Sequence, residues 1–333
     1  MIRRRDLAAL AVTTAGAPAG AVAEEEGKGR LKLDRLRSVH ISGEVRVGVY
    51  LPNGYRARPD TPYPLMLLLH GGDGSEKDIA RFANVIDRAM AEGRIAPTVI
   101  ATPAARRSLY MDYRDGSERW ESFIVRDLLP HLRATLPVAQ SRERTFVGGW
   151  SMGGLGSLRL AFKHPEIFGA VAAVEPAVEP ALAWSEVGPR VKFWRSDEIY
   201  ESLFGAPVDA AYWAENNPAT IARRDPRRLI DLGVYIEVGD QDMLYLNEGV
   251  EFLHRVLFDA GIAHEYRLVR GADHVGPSLG PRLTDALGFI GRQIDPPAWI
   301  DRQVSEARAV MDERKRAAGL TTQTQDHRRI RGS

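Results

Sequence analysis

Short apolar runs alternate with helical spacings along most of the chain, and this alternation restricts the fold more than any other feature. The runs are typical of buried strands, because a strand covered on both faces has no polar side. The spacing of Ile79, Phe82, Ile86 and Met90 predicts a helix between two of the runs. The predicted strands are residues 39–42, 45–51, 64–69, 98–101, 145–148, 170–174, 234–238 and 266–269. This pattern predicts an α/β protein with a mostly parallel central sheet and helices on both faces.

The composition excludes several classes of protein. The 333 residues include no cysteine, which excludes disulfide scaffolds, thiol enzymes and cysteine-based zinc sites. The 45 Lys and Arg residues nearly balance the 44 Asp and Glu residues, for a net charge of +1. Nucleic-acid-binding proteins carry a larger basic excess, so we expect no nucleic-acid partner. Hydrophobic residues make up 44% and charged residues 27%, as in ordinary globular proteins.

Residues 1–23 have the pattern of a signal peptide. Three arginines at positions 3–5 precede a weakly apolar stretch that ends in Ala21-Val22-Ala23, and the paired arginines resemble a twin-arginine export signal. The stretch is too short and too polar for a membrane span, which needs about 20 apolar residues. We therefore expect an extracytoplasmic bacterial protein, periplasmic or secreted, with a charged linker at residues 24–34. A disordered basic N-terminus is the alternative interpretation.

A serine between glycines lies between a predicted strand and a predicted helix, in Gly149-Trp150-Ser151-Met152-Gly153. In this context the pattern G-x-S-x-G predicts a nucleophile elbow, a tight turn that exposes the serine. The glycines relieve clashes around a strained backbone, so Ser151 is the candidate nucleophile. Alternatively, the glycines serve only the packing of a helix on a strand.

A second glycine motif, His70-Gly71-Gly72-Asp73, follows the third predicted strand. A serine nucleophile needs two N–H donors for the oxyanion that develops during acyl transfer. We assign these donors to the backbone of Met152, the residue after the nucleophile, and of Gly72. His70 is interpreted as a residue that braces the loop. A glycine turn that only leaves the strand is the alternative.

Two later loops contain the candidate partners of the serine. Gly239-Asp240-Gln241-Asp242 follows one predicted strand, and Gly271-Ala272-Asp273-His274 follows the last. A serine hydroxyl is barely ionised at neutral pH, so it needs an imidazole to take its proton and a carboxylate to orient that imidazole. His274 is the candidate base, and the chain order Ser, Asp, His is the order that an elbow of this kind requires. Asp240 and Asp242 are both candidates for the acid.

These motifs resemble the esterase family of α/β hydrolases that includes S-formylglutathione hydrolase, feruloyl and acetylxylan esterases, enterochelin esterases and mycolyltransferases. The likeness covers about residues 35–294 and includes segments 108–112, 120–124 and 163–168. The resemblance implies an α/β-hydrolase fold, and it favours Asp242, three residues after the glycine, as the acid. Asp240 is then expected to accept hydrogen bonds from loop N–H groups. The chain departs from the family at residues 175–180, where Glu-Pro-Ala-Val-Glu-Pro replaces a small or polar turn.

About sixty residues separate two of the predicted strands, which predicts an insertion at about residues 175–230. Its rings either form an aromatic wall for a substrate or pack the insertion on the body. On the first interpretation Trp213 contacts substrate, and Tyr110 and Trp150 are further candidate substrate contacts. The aromatic residues of the insertion are Trp184, Trp194, Tyr200, Phe204, Tyr212 and Trp213.

The C-terminal part is predicted to form a helix at residues 298–319, followed by a disordered tail at residues 320–333. The spacing of Ile300, Val304, Ala307 and Met311 makes this helix amphipathic, so we expect it to pack on the domain at residues 35–297. No phosphate loop, dinucleotide fingerprint or H-E-x-x-H motif occurs in the chain. We therefore expect no cofactor and no metal.

Together the motifs predict an exported serine carboxylic-ester hydrolase that acts through an acyl-enzyme. The expected substrate is a small-molecule or carbohydrate-linked ester, and the oligomeric state is left open. An acyltransferase with the same triad is the first alternative. A non-catalytic surface binding protein on a hydrolase scaffold is the second.

Overall fold

A single sheet forms the centre of the protein, which the computed structural model describes for residues 28–299 and 301–320. The strands of this part are β1 (Arg30–Arg37), β2 (Glu44–Leu51), β3 (Leu65–Leu69), β4 (Val99–Pro103), β5 (Thr145–Trp150), β6 (Ala170–Val174), β7 (Gly233–Gly239) and β8 (Glu265–Val269). They pair in the order β1-β2-β4-β3-β5-β6-β7-β8. Because β2 is antiparallel to β1 and β4 and all other neighbours are parallel, the predicted mostly parallel sheet is confirmed.

Helices cover both faces of the sheet. They are α1 (Asp78–Arg81), α2 (Ala83–Ala91), α3 (Trp120–Phe123), α4 (Leu129–Thr135), α5 (Met152–Lys163), α6 (Pro189–Lys192), α7 (Asp197–Phe204), α8 (Ala210–Asn216), α9 (Pro218–Arg224), α10 (Leu246–Asp259), α11 (Leu279–Ile294) and α12 (Arg302–Ala317). The helix predicted from Ile79 to Met90 is two helices, α1 and α2, which meet at Phe82. A π-helical turn, Ile124–Leu128, joins α3 to α4.

The residues of β3 alternate between two hydrophobic cores. Leu65, Leu67 and Leu69 pack into the core that contains residues of α3, α5 and α10. Met66 and Leu68 pack into the opposite core, with residues of α2 and α11. Since all five side chains are buried, the strand itself carries no chemistry. Polar side chains are instead supplied by the loops that leave the carboxyl ends of the parallel strands.

The beginning of the sheet corrects two predictions. Residues 39–43 form a bend instead of the predicted strand 39–42, and the first strand is β1, so the predicted linker 24–34 is wrong from Arg30 onward. The reason is that β1 is an edge strand, in which Leu31 and Leu33 remain 47% and 55% exposed between charged residues. An exposed strand of this composition has the sequence pattern of a polar linker.

The insertion between β6 and β7 contains α6 to α9. Its helix starts are encoded locally: Asn217 Oδ1 accepts hydrogen bonds from the N–H groups of Ala219 (2.8 Å) and Thr220 (3.1 Å), and Pro218 occupies the first turn of α9. The aromatic rings mainly pack within the protein, which favours the second interpretation of this cluster. Tyr200, Phe204 and Trp213 are buried, and Trp184 contacts the rings of both Tyr200 and Trp213.

The predicted C-terminal helix is present as α12, with Asp301 Oδ1 accepting a hydrogen bond from the N–H of Val304 at its start. The prediction that it packs on the domain is wrong for the described residues, because none of its side chains is buried. Most side chains of α12 are charged or polar, so its narrow apolar stripe is not enough to hold the helix against the domain. The predicted signal peptide, residues 1–23, and residues 321–333 of the predicted tail lie outside the described residues. Among the helices of the described part, none is long and apolar enough to cross a bilayer.

Candidate active site

Ser151 is the residue at which β5 turns into α5, and it adopts φ 56° and ψ −119°. A positive φ is unusual for a residue with a side chain and is found mainly where a turn or a functional site requires it. A Cβ on Gly149 would lie 2.4 Å from the backbone oxygen of Leu69, and a Cβ on Gly153 would lie 2.0 Å from the same atom. Only glycine fits at these two positions, so the sharp turn predicted from the sequence is present and has a steric cause.

One imidazole connects Ser151 to Asp242. The Nδ1 of His274, in the loop after β8, lies 2.9 Å from Asp242 Oδ2, in the loop after β7. The Nε2 of the same ring lies 3.1 Å from Ser151 Oγ. Because a carboxylate can only accept, Nδ1 carries the proton, and the lone pair on Nε2 accepts from the serine hydroxyl. This is the tautomer that allows the imidazole to take the serine proton.

The two candidate acids have separate positions. Asp242 Oδ1 accepts a hydrogen bond from the N–H of Leu244 at 2.8 Å, which leaves Oδ2 for His274. Asp240 Oδ1 accepts a hydrogen bond from the N–H of Gly271 at 2.6 Å. The expectation that Asp240 bonds a loop N–H is therefore confirmed. The aspartate that the structure brings to the imidazole is Asp242.

A second carboxylate near the imidazole was missed by the sequence analysis. Glu175, directly after β6, is fully buried, with Oε2 3.9 Å from His274 Nδ1 and 2.8 Å from an Arg282 guanidinium nitrogen. Burial raises the pKa of Glu175 to about 7, against the lowering effect of the His274 and Arg282 charges. Burial would lower the pKa of His274, but the hydrogen bond to Asp242 and the charge of Glu175 outweigh it and raise that pKa. The sequence signal that could have identified Glu175 is an acidic residue directly after β6, the strand that pairs with β5.

The loop after β3 is held by His70. Its buried ring donates from Nδ1 to the Gly71 carbonyl (2.7 Å) and accepts at Nε2 from the N–H of Ala105 (2.9 Å). Both ring nitrogens therefore have partners that suit a neutral imidazole. Burial lowers the pKa of His70 and so favours this neutral form, as expected of a residue that braces the loop. Within the described part of the chain, the space around Gly72 is open, since a Cβ there would have no atom within 4 Å. The N–H of Met152, in the first turn of α5, has no acceptor within its helix.

The three residues predicted to contact substrate differ in exposure. Tyr110 and Trp213 are 0% and 1% exposed, so the prediction for these two is wrong in this structure. Tyr110 instead donates a hydrogen bond from its hydroxyl to the His70 carbonyl at 3.0 Å, beneath the glycine loop. Trp150 is partly exposed and lies beside that loop, because a Cβ on Gly71 would come within 2.8 Å of its Nε1. For Trp150 substrate contact stays a prediction.

The described residues contain one group of three side chains with ligand atoms close enough for a metal ion, namely Glu175, Asp242 and His274. Their ligand atoms lie within 4.8 Å of one another. However, His274 Nδ1 and Asp242 Oδ2 already bond each other, and Glu175 contacts the Arg282 cation. A cation in this position would have to break these contacts, so the arrangement fits a charged surround for the imidazole better than a metal site.

Comparison with known proteins agrees with the predicted fold and family. The model of the family described as "Putative esterase" matches residues 38–286. The chain belongs to this family. Among curated relatives, an esterase of Mycobacterium tuberculosis is 28% identical to this chain over 278 residues. The match covers 78% of this chain and 59% of that protein. An acetyl esterase of Caldicellulosiruptor saccharolyticus is 30% identical over 113 residues, covering 34% of this chain and 41% of that protein. The chain thus spans about half the length of these curated relatives.

Solved structures share the esterase-family fold. An S-formylglutathione hydrolase from Agrobacterium tumefaciens superposes with a TM-score of 0.67 at 20% identity. The match covers 82% of this chain and 98% of that one. At this identity the likeness concerns the fold alone, and it supports the α/β-hydrolase architecture predicted from the sequence.

Proposed function

We propose that this esterase-family protein is a serine carboxylic-ester hydrolase with Ser151 as nucleophile, His274 as general base and acid, and Asp242 as the orienting carboxylate. The observation that carries the proposal is the position of the His274 ring, within hydrogen-bond distance of Ser151 Oγ on one side and Asp242 Oδ2 on the other. Nucleophile, base and orienting acid in this relationship are the requirement for serine acyl transfer.

In the first half of the reaction, Ser151 Oγ attacks the ester carbonyl carbon while its proton passes to His274 Nε2. Asp242 stabilises the resulting imidazolium through the Nδ1–H bond. The backbone N–H groups of Met152 and Gly72 are the proposed oxyanion donors, and the positive end of α5 adds to their effect. The imidazolium then protonates the leaving alcohol as the carbon–oxygen bond to it breaks, and the acyl group remains on Ser151.

In the second half, water attacks the acyl-enzyme and His274 takes its proton. Collapse of the second tetrahedral intermediate releases the carboxylic acid and returns the proton to Ser151 Oγ. An alcohol in place of water would give acyl transfer, which is the alternative activity. A non-catalytic binding protein would not need the strained serine turn or the aligned imidazole, so these features favour catalysis.

A panel of activated acetyl, feruloyl, thio- and long-chain acyl esters tests the proposal, each with and without an added alcohol acceptor. Acetyl esters come first because a relative carries that name. We expect the wild type to hydrolyse at least one member, with the Ser151→Ala variant lower by about three orders of magnitude or more. The folded Asp240→Asn variant is the matched control and should retain activity. Equal rates in wild type and Ser151→Ala would refute the proposal, and transfer of the acyl group to added alcohol in preference to water would identify an acyltransferase.

We also propose export, from the arginine and Ala-x-Ala pattern of residues 1–23. The N-terminus of protein recovered outside the cytoplasm should then be Glu24. Replacing Arg4 and Arg5 by lysine should retain the precursor in the cytoplasm. An uncleaved protein that remains cytoplasmic in its host would contradict export without affecting the proposed chemistry.

A further inference from the structure

Glu175 occupies a strained position at the carboxyl end of β6. Its φ of 40° is unfavourable for a residue with a side chain, and the proline that follows it restricts its backbone further. The backbone N–H of Glu175 donates to the carbonyl of Glu237 at 2.7 Å. A strained, buried glutamate is costly to maintain, which makes it a candidate for a role beyond packing.

The strain has a local cause that involves the nucleophile. The N–H of Ser151 donates to the carbonyl of Val174 at 3.0 Å, and the carbonyl of Ser151 accepts from the N–H of Ala177 at 3.1 Å. Val174 and Ala177 both bond the backbone of Ser151, so Glu175 and Pro176 are confined to the short turn between these two contacts. The turn fixes Glu175 next to the elbow, and its carboxylate reaches His274 at 3.9 Å.

The carboxylate of Glu175 is only partly compensated by the nearest cation. Arg282 donates from Nε to both oxygens of Glu237, at 2.9 and 3.0 Å, so its charge is shared between two acids. Neither oxygen of Glu175 makes a well-directed hydrogen bond within the described residues, although Arg282 lies at 2.8 Å. A buried carboxylate in this situation gains from a second positive charge. The imidazolium of His274 would supply that charge.

We infer that Glu175 is a second positioning carboxylate, which acts through His274 by stabilising the imidazolium formed during turnover, together with Asp242. This inference rests on the proposed function, since it concerns the same imidazole. Glu175 is the first residue of segment 175–180, where the sequence departs from the family pattern, and the inferred role accounts for an acidic residue at that position. Asp242 orients the ring through a direct bond, and Glu175 adds negative charge beside it.

The charges around the pair support this role. The groups that face Glu175 are His274, Asp242, Arg282 and Glu237, two cationic or protonatable and two acidic. The pKa of Glu175 is raised to about 7 by burial, and the negative charge of Glu175 contributes to the raised pKa of His274. Because their charged atoms lie 3.9 Å apart, the ionisation of each group affects that of the other, so their titrations are coupled.

The competing interpretation is that Glu175 serves only as the ion-pair partner of Arg282, a residue of α11, and so stabilises the packing of this helix on the sheet. Removal of the Glu175 charge would then lower stability without changing the ionisation of His274. Removal of a positioning charge would instead lower the pKa of His274, because the imidazolium loses a favourable neighbour. The ionisation of His274 is therefore the property that separates the two roles.

The experiment compares Glu175→Gln with the matched control Glu179→Gln. Glu179 is also buried and paired with an arginine, but its partners are Arg195 and the hydroxyl of Tyr200. The pH profile of kcat/KM on an activated ester is recorded for both variants. For Glu175→Gln we expect the midpoint of the acid limb to move down by about half a pH unit or more, and kcat to fall by about 3- to 30-fold. For Glu179→Gln the midpoint should not move. An unmoved midpoint in folded Glu175→Gln overturns the inference.

A second measurement needs neither turnover nor a folded Glu175 variant. In the inactive Ser151→Ala protein, NMR titration of the His274 ring should show two coupled steps, because the Glu175 carboxylate lies 3.9 Å from its Nδ1. A single step at the ordinary histidine value of about 6.5 overturns the inference. Absence of ester hydrolysis and of serine labelling in the wild type would instead overturn the proposed function, whatever the titration shows.

Discussion

Asp242 uses its two carboxylate oxygens for different partners, and one of them is the Nδ1–H of His274 at 2.9 Å. The other oxygen is occupied by the N–H of Leu244, in the same loop. The hydrogen bond to the backbone therefore holds the carboxylate in place, with its second oxygen directed at the imidazole ring. The loop after β7 thus directs the carboxylate of Asp242 at the imidazole, whereas the carboxylate of Asp240 bonds the backbone N–H of Gly271.

Asp242→Asn should therefore lower kcat by about two orders of magnitude or more, since the amide favours the wrong imidazole tautomer. Asp240→Asn should leave kcat nearly unchanged and reduce the free energy of unfolding by about 1–3 kcal/mol, because its bond to the N–H of Gly271 is weakened. Steady-state kinetics and urea unfolding on both variants check this. Loss of turnover in a well-folded Asp240→Asn protein, with Asp242→Asn still active, would transfer the role to Asp240.

The pH dependence of kcat/KM should reflect the raised pKa of His274. Only the neutral imidazole can accept the serine proton, so activity rises as the pH increases through that pKa. Since the hydrogen bond to Asp242 and the charge of Glu175 favour the imidazolium, the midpoint should lie above the ordinary histidine value of about 6.5. A midpoint below this value would show that burial outweighs the two carboxylates.

Two glycines in helices should respond oppositely to alanine. Gly153→Ala places a methyl group 2.0 Å from the Leu69 carbonyl oxygen, so we expect a loss of about 2–3 kcal/mol in unfolding free energy. Gly288, within α11, is buried, and among the described residues a Cβ there would meet just one atom, an arginine nitrogen at an ordinary contact distance of 3.8 Å. Gly288→Ala should stabilise by about 0.5–1 kcal/mol through helix propensity. Urea unfolding measures both, and equal effects would argue against the steric account of the elbow.

The contrast between the buried and the partly exposed tryptophan gives a further prediction. Trp213→Phe should lower unfolding free energy by about 1–3 kcal/mol and leave KM unchanged, because the ring packs against Trp184 inside the insertion. Trp150→Phe should raise KM, since this ring lies beside the glycine loop. The outcome against this assignment is a raised KM for Trp213→Phe with unaltered stability.

The sequence was sufficient for the features that depend on local rules. Buried parallel strands such as β6 are short apolar runs and could be located directly, and the spacing Gly149-x-Ser151-x-Gly153 between a strand and a helix predicted the sharp turn. The role of Asp240 followed from the family resemblance, which favoured Asp242 as the acid, together with the place of Asp240 beside a turn glycine. These predictions succeed because each pattern is short and local, even though the contacts are distant in the chain: Asp240 bonds Gly271, and the elbow glycines pack against Leu69.

The predictions that failed depend on tertiary placement. Exposed strand β1 has the composition of a linker, and its pairing with β2 decides its structure. An aromatic ring such as Trp213 can line a pocket or fill a core, and composition does not distinguish the two. The same holds for Glu175, whose importance depends on His274 and Arg282, about a hundred residues further along the chain.

Ser151 should behave as an activated nucleophile, and every other catalytic prediction depends on this. The most direct measurement is intact-protein and peptide mass spectrometry after treatment with a fluorophosphonate, which phosphonylates activated serines. We expect one adduct per chain, located on Ser151, with labelling slowed strongly in the His274→Ala variant and absent in Ser151→Ala. No adduct on the folded wild-type protein, or an adduct on a different residue, would contradict the account.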